Sequence, residues 1–326
     1  MKKVAKSSPS LAIGMPVYNG AAYLADAIDA LSAQTFKDFD LLICDNASTD
    51  RTVEIAESCA NRDPRIRVQR NDRNLGATGN FRRVFQMTTA PFFKWATHDD
   101  LHEPDYLMRC VEKLHKSSDV VLAHSATEFI DGDGRHFPMH PATGQSLDPI
   151  TGIPQIPDSH SLGDHPGPAR RFWQVLSRAR WGSHIFGVMR RGALEQTRVL
   201  ADFSSSDRAT LAELALLGRF ESTSRPLYLK RFHAGGSWAL DQKELKKFLG
   251  ESANYSRRYR QFEAFFNAAR NKPVGLSTKA ICRLMVLGHT ALTIADIVRG
   301  KDAMIAAQGR QWRQRVDEAS STKEPA

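Results

Sequence analysis

Cysteine is scarce in this 326-residue chain: there are four, at 44, 59, 110 and 282, and no two of them form a C-x-x-C pair. That spacing supports neither a zinc ribbon nor a disulfide framework, and a reducing cytoplasm is the compartment it suits. Long apolar runs are missing as well. The longest candidate, 281–298, is broken by Arg283, His289 and Asp296, which argues against a membrane span and for a buried or amphipathic helix. The first twenty residues carry basic side chains, but their apolar stretch is short and interrupted by Gly14 and Pro16, so no signal peptide is read there. No G-x-G-x-x-G occurs, and the first apolar run leads into "PVYNG", which argues against a dinucleotide oxidoreductase. The charge is unbalanced at one end only. From Lys243 onward 16 Lys and Arg stand against 8 Asp and Glu, a local +8 within the total of +9, which leaves +1 for the first 242 residues. Such a tail suits a membrane surface, nucleic acid or plain solvent, and nucleic acid has only the bulk charge in its favour.

What the chain does have is an alternation. Short apolar runs at 11–17, 39–45, 65–70, 91–97 and 119–125 are interleaved with segments of helical period at 21–34, 49–61, 78–89 and 104–116. This predicts a mainly parallel sheet with helices on both faces. Ligands of such sheets bind beyond the carboxyl ends of the strands, which gives several polar groups one address. Tyr18 and Asn19 follow the first strand, Asp45 and Asn46 close the second, Asn74 and Gly76 follow the third, and His98, Asp99 and Asp100 follow the fourth. Adjacent carboxylates repel, so Asp99 and Asp100 call for a cation, a hydrogen-bond donor or water. The stretch 131–168, rich in Gly, Pro, Asp and His and without a period, reads as a long surface excursion lying over the crevice as a flexible lid. Beyond it come a helix at 168–179, strand-like "HIFGVMR" at 184–190, a helix at 207–218, a strand at 220–231 and a basic helical remainder ending in a frayed "STKEPA".

Taken together, "GMPVYNGAAYLADAIDALSAQTFKDFDLLICDNASTDRT", "RNDRNLGATGNFRRVF", "FFKWATHDD" and "DRATLAELALLGRF" resemble the family 2 glycosyltransferases, over about residues 10–235. The resemblance implies a GT-A type, Rossmann-like, mainly parallel α/β sheet flanked by helices. It divides the chain into an N-terminal tail (1–10), a transferase domain (11–240, with a donor half to about 125 and an acceptor half from 126) and a basic helical C-terminal extension (241–326). It also implies a metal-dependent, inverting transfer of a sugar from a nucleotide-diphosphate donor of UDP, GDP or TDP type to a hydroxyl acceptor, such as a lipid-linked or cell-surface glycan.

Residue roles follow from the same resemblance. Asp100 corresponds to the carboxylate that coordinates Mg²⁺ or Mn²⁺ across the diphosphate, and Asp99 to the one facing the ribose. Asp45 and Asn46 match the pair that cradles base and ribose. Asn46 departs from the usual Asp, and its amide can donate as well as accept. Pro16, Tyr18 and Asn19 would line that pocket, with Arg73, Asn74 and Gly76 beside it. Asp207 matches the Asp of an "E-D" pair and is the expected base, with Ser206 in place of Glu; both residue types also favour helix N-termini for capping alone. His233 resembles a histidine near the metal or diphosphate. Trp181 and His184 fall where acceptor-site residues are expected, and His98 is given no direct role. The departures at Asn46 and Ser206 motivate a second reading, a catalytically silent domain that binds nucleotide or glycan as a partner subunit. A cytoplasmic enzyme with its basic tail at the inner face of a membrane, and no nucleic-acid partner, completes the expectation.

Overall fold

The computed structural model describes residues 9–149, 152, 154–158, 161–179, 181–203, 205–233, 235–237, 240, 242–250, 257–270, 272–298 and 314. The expected tail before Pro9 and the extension beyond Val298, apart from Gln314, lie outside the described residues.

The first strands are β1 (Leu11–Val17), β2 (Phe39–Asp45), β3 (Ile66–Arg70), β4 (Phe92–Trp95), β5 (Leu101–His102) and β6 (Val120–Ile130). Between them run helices α1 (Leu24–Ser32), α2 (Thr52–Arg62), α3 (Gly76–Gln86) and α4 (Tyr106–Lys116). All of β1 is buried, as a strand covered on both faces must be. Helix α1 buries Leu24, Ala27, Ile28 and Leu31, and α4 buries Leu107, Cys110, Val111 and Leu114; both sets follow the i, i+3, i+4, i+7 spacing of one helix face. The second half adds β7 (Ser146–Leu147), β8 (Pro154–Gln155), α5 (Pro168–Arg178), β9 (Val188–Arg190), α6 (Arg191–Leu194), α7 (Ser206–Leu217) and β10 (Arg219–Arg231). Helices α8 (Gln242–Leu249), α9 (Arg257–Ala268) and α10 (Leu276–Val298) follow.

Eight strands make one sheet in the order β3-β2-β1-β4-β9-β6-β10-β5. Strand β9 is antiparallel to β4 and β6, β5 is antiparallel to β10, and the other pairs are parallel. The chain steps outward from β1 to β3 and then returns to place β4 on the other side of β1. The order therefore reverses between β1 and β4, and at such a switch point the loops leaving two neighbouring strands part to form a crevice. Pro16 marks the same place. Ala96 N–H donates to Gly14 and Asn46 N–H to Val17, so residues 14 and 16 face β4 while 17 faces β2. The β1–β4 ladder ends at Gly14, so Pro16, which has no N–H, removes no ladder bond.

The second half is not a separate layer. Strand β6 runs straight through residue 125, and β6, β9 and β10 join the same sheet. Nor is the helical extension an appendage: Ala264, Phe265, Ala268, Cys282 and Val286 are buried in one cluster with Phe172 and Val175 of α5 and Leu211 and Leu214 of α7. Burying a large apolar side chain contributes about 1.5–3 kcal/mol, so Phe265 and Val286 alone hold α9 and α10 firmly to the domain. The excursion at 131–168 is also tied down. Phe137 packs with Phe129 and Phe232, Leu162 is in the main core, and β7 pairs with β8. A loose lid is not what its described residues form.

Candidate active site

The loop after β1 and the loop after β2 interlock at the switch point. Asn19, with φ +49°, accepts from Thr49 N–H at 2.9 Å while its own N–H donates to Ser48 Oγ at 2.9 Å. Gly20 N–H donates to Thr52 Oγ1 at 2.8 Å, and Asp50 accepts from Ala21 N–H at 3.1 Å. Asp45 is fully buried; it accepts from Ser48 N–H at 3.1 Å and lies 3.4 Å from Arg70 Nε. Tyr18 stands out by contrast, 43% exposed at the mouth of the loop, and Arg73 is exposed as well.

Asn46 is the centre of a buried amide network. Its Oδ1 accepts from Asn71 Nδ2 at 3.0 Å and from Leu75 N–H at 2.9 Å, and its Nδ2 donates to Asn74 Oδ1 at 2.8 Å and to the Gly76 carbonyl at 3.3 Å. Both lone-pair directions and both N–H groups are thereby used. An aspartate could serve the first two partners but would face the other two acceptors with no proton to offer. The side chain expected to read a base instead shapes the loop from Asn71 to Gly76. Helix α8 closes over this loop: a Cβ on Gly76, whose φ is +72°, would stand 2.5 Å from the Leu249 carbonyl oxygen.

The adjacent carboxylates have different surroundings. Asp100 is 3% exposed and enclosed. Its Oδ2 accepts from Thr97 Oγ1 at 2.6 Å and from the Tyr228 hydroxyl, and its Oδ1 accepts from Arg231 N–H at 2.8 Å. Burial, and then the negative Asp99 beside it, raise its pKa. Asp99 keeps 19% of its side chain exposed and places Oδ2 3.0 Å from His233 Nε2. Burial would raise the Asp99 pKa, but the His233 hydrogen bond and the nearby charge of His98, His233 and Lys230 outweigh it and hold the carboxyl far below the usual range. The two side chains divide the work: one carboxylate is locked into the protein, and its neighbour stays ionised at the surface of the crevice.

Arg231 builds the floor under this pair. It is 4% exposed, donates from Nε to the Asp99 carbonyl at 2.8 Å and from Nη1 to the Gly132 carbonyl at 2.9 Å, and lies 4.8 Å over the Tyr23 ring. Tyr23 in turn packs on His233, with ring centroids 4.6 Å apart. A Cβ on Gly20 would stand 2.6 Å from the His98 ring, so the β1 loop and the acidic motif are in direct contact. Behind Asp100, Lys94 is wholly buried: its ammonium meets the Phe186 carbonyl and lies 4.8 Å over the Tyr106 ring, and burial pushes its pKa down to about 7.

A third group faces Asp207 at the start of α7. Gly182, in the left-handed region at φ +68°, is seated so closely that a Cβ would stand 2.1 Å from Asp207 Oδ2. Asp158 clamps this turn by accepting from Trp181 N–H at 2.9 Å and Ser183 N–H at 2.7 Å. The Trp181 ring packs 5.5 Å from Phe232, the residue before His233, which links the Asp207 turn to the acidic corner. His184 is buried, against His124 at 4.5 Å and 3.7 Å from Asp158, and does not face the crevice.

Residues 12–172 match the family model described as glycosyl transferase family 2. They form a family 2 glycosyltransferase domain. Curated relatives include an uncharacterized glycosyltransferase of Rickettsia typhi, 31% identical over 125 residues, 38% of each chain, and the chondroitin synthase of Escherichia coli, 25% identical over 130 residues, 40% of this chain and 19% of that one. The chain thus spans well under half the length of these relatives. Among solved structures, S. aureus TarS 1–349 superposes with a TM-score of 0.54 at 14% identity, over 86% of this chain and 71% of that one. The Pyrobaculum calidifontis mannosyltransferase PcManGT, solved with GDP-Man and Mn²⁺, gives 0.52 at 14% identity, over 97% and 87%. These likenesses establish the GT-A fold.

Several residues that build the glycosyltransferase crevice carry no signal of their own in the sequence. Tyr228 and Arg231 meet the acidic motif only through the sheet, Tyr23 reaches it through Arg231 and His233, and Asp158 sits in an aperiodic stretch. Asp50 is the exception, because it is the final Asp of "DNASTD". Among the described residues, no three His, Cys, Asp or Glu side chains cluster as a metal site. Any cation here would complete its shell from a ligand and water.

Proposed function

We propose that the chain is an inverting, metal-dependent glycosyltransferase, moving a sugar from a nucleotide-diphosphate donor to a hydroxyl acceptor. The observation that carries this reading is the Asp99–His233 pair, an ionised carboxylate and an imidazole 3.0 Å apart beside the switch-point loops. Mg²⁺ and Mn²⁺ commonly take one or two protein ligands and fill the remaining positions with substrate phosphates and water. The pair fits that pattern, and the imidazole nitrogen favours Mn²⁺, since Mg²⁺ prefers oxygen. Asp99 rather than Asp100 is therefore proposed as the metal-facing carboxylate, with His233 as its partner and Asp100 as the brace behind it. When bound, the cation neutralises charge developing on the departing diphosphate.

The rest falls to the protein's own side chains. Tyr18 offers an exposed ring to the nucleobase, Asn19 and Asp45 set the loops that flank the ribose, Arg73 is placed to meet phosphate, and Asn46, Asn74 and Gly76 hold the pocket wall. Asp207, half-buried against Gly182, takes the acceptor hydroxyl proton as that oxygen attacks the anomeric carbon opposite the leaving group. Trp181 lines the acceptor side. UDP-GlcNAc in TarS and GDP-Man with Mn²⁺ in PcManGT support a nucleotide sugar and a divalent cation as the ligands. A glycan or lipid-linked acceptor and a cytoplasmic setting belong to the same proposal.

The test is turnover with a panel of UDP-, GDP- and TDP-sugars and Mn²⁺, read as nucleoside diphosphate released. One donor class is expected to be consumed, and Asp207→Asn is expected to lower kcat by about 10²–10⁴ while leaving donor affinity unchanged. Nucleotide binding without transfer or hydrolysis of any donor would instead favour the silent-domain reading. The buried role of Asn46 removes one of that reading's two motives.

A further inference from the structure

Helix α10 turns one face into the core and an almost wholly apolar one outward. Cys282 and Val286 are 1% exposed, whereas Leu276, Ile281, Leu284, Leu287, Leu292 and Ile294 are between 44% and 86% exposed. At 1.5 Å per residue this outer face is about 27 Å long. Only Ser277, Ala280, Gly288, Ala291 and Ala295 fall between these side chains on the arc, and no charged residue does. A surface of that extent calls for a cover. The helix does not supply one by crossing a bilayer: among the described residues no helix is long and apolar enough to do so, and the inner face of α10 is committed to α5 and α9.

We propose that the outer face of α10 docks on an anionic lipid surface. Three observations choose lipid over a second copy. The charged side chains described on α10, Lys279 and Arg283, are both cations and run along one flank, Arg283 one turn from Leu287. A two-fold pairing of this face would bring the Lys279 and Arg283 flanks of two copies together, while an anionic leaflet attracts them. Beside the face, Trp173 of α5 with Leu284, Met285, Gly288, Ala291 and Leu292 lines an open cleft of about 680 Å³. That volume lies in the range of small-ligand sites and here receives an acyl chain. An amphipathic helix with an apolar face and a cationic rim is the arrangement that lies in a membrane interface without spanning it.

The docking face is also coupled to the acceptor side. Helix α10 packs on α5, α5 packs on α7, and α7 begins at Ser206–Asp207. The docking proposal itself does not rest on the transferase reading.

The test is co-sedimentation of the full-length protein, without nucleotide, with vesicles of phosphatidylcholine alone or mixed with phosphatidylglycerol. The wild type is expected to bind the mixed vesicles and be released by salt. Leu284→Glu/Leu292→Glu is expected to lower partitioning at least about tenfold, and Lys279→Gln/Arg283→Gln to lower it less and to weaken the salt dependence. Leu284 and Leu292 are exposed, so an unchanged melting temperature is expected for their variant and verifies folding; Lys279 and Arg283 also contact the Arg270 carbonyl and the Phe266 ring, so the melting temperature of theirs is measured alongside. Absence of wild-type binding, equal binding to neutral vesicles, or undiminished binding by the double-Glu variant would each overturn the proposal. So would a dimer in sedimentation velocity that this variant dissociates, which assigns the face to a second copy.

Discussion

Neighbouring residues of the same type do different things here because their surroundings differ. Asp100 takes three donors and Asp99 takes His233, so their substitutions separate. Asp99→Asn is expected to abolish Mn²⁺-dependent nucleotide binding. Asp100→Asn places an amide among three donors and is expected to destabilise the fold by about 1–3 kcal/mol, read by urea denaturation. Gly182→Ala drives a methyl into the Asp207 carboxylate and is expected to reduce kcat strongly with donor affinity retained. Lys94 offers a pH test. Its pKa is about 7 in the folded chain against an ordinary 10.5, so between these values the unfolded chain carries the extra proton and stability rises with pH. The slope is at most about 1.4 kcal/mol per pH unit. Thermal melts from pH 7 to 9 should show this rise in the wild type and not in Lys94→Met, where Tyr106 still donates to the Phe186 carbonyl. The window stops at 9 because Cys44 and Cys110, raised by burial to about 11 and about 12, then act in the opposite direction.

At the scale of elements, the strands with their own apolar runs were legible, and those defined by a distant partner were not. Strands β1 and β2 begin and end where the apolar runs at 11–17 and 39–45 do. Strand β5 is two residues long and exists only as an antiparallel partner of β10, and the first three residues of "HIFGVMR" belong to a 3-10 turn, with β9 limited to Val188–Arg190. The alternation alone gathers the polar strand ends onto one edge of the sheet. Which of them face a ligand depends on cross-sheet neighbours: Asn46 looks like a base reader until Asn71, Asn74 and Gly76 are seen around it. Asn46→Asp should accordingly destabilise the loop from Asn71 to Gly76, by about 1–3 kcal/mol, measurable as faster amide exchange there. The excursion read as a lid is anchored by Phe137, Asp158 and Leu162, which follow no period. Asp158→Ala is expected to lower kcat, with nucleotide affinity preserved, by loosening the Trp181–Ser183 turn.

On the scale of the whole molecule, one sheet runs behind both the β1 and β2 loops and the Asp207 turn, and helices α9 and α10 complete its core. Helix α8 closes the Gly76 loop while α9 and α10 brace α5 and α7, so removing the extension should lower melting temperature and donor affinity together. The crevice between β1 and β4 is proposed to hold a nucleoside diphosphate through a divalent cation at Asp99 and His233. Calorimetric titration of UDP, GDP, TDP and CDP, with and without Mn²⁺, into wild type, Asp99→Asn and Asp100→Asn tests it most directly. The expected result is binding of one nucleotide class that needs Mn²⁺, is lost in Asp99→Asn and survives in folded Asp100→Asn. Binding that is indifferent to Mn²⁺, or lost only in Asp100→Asn, would contradict it.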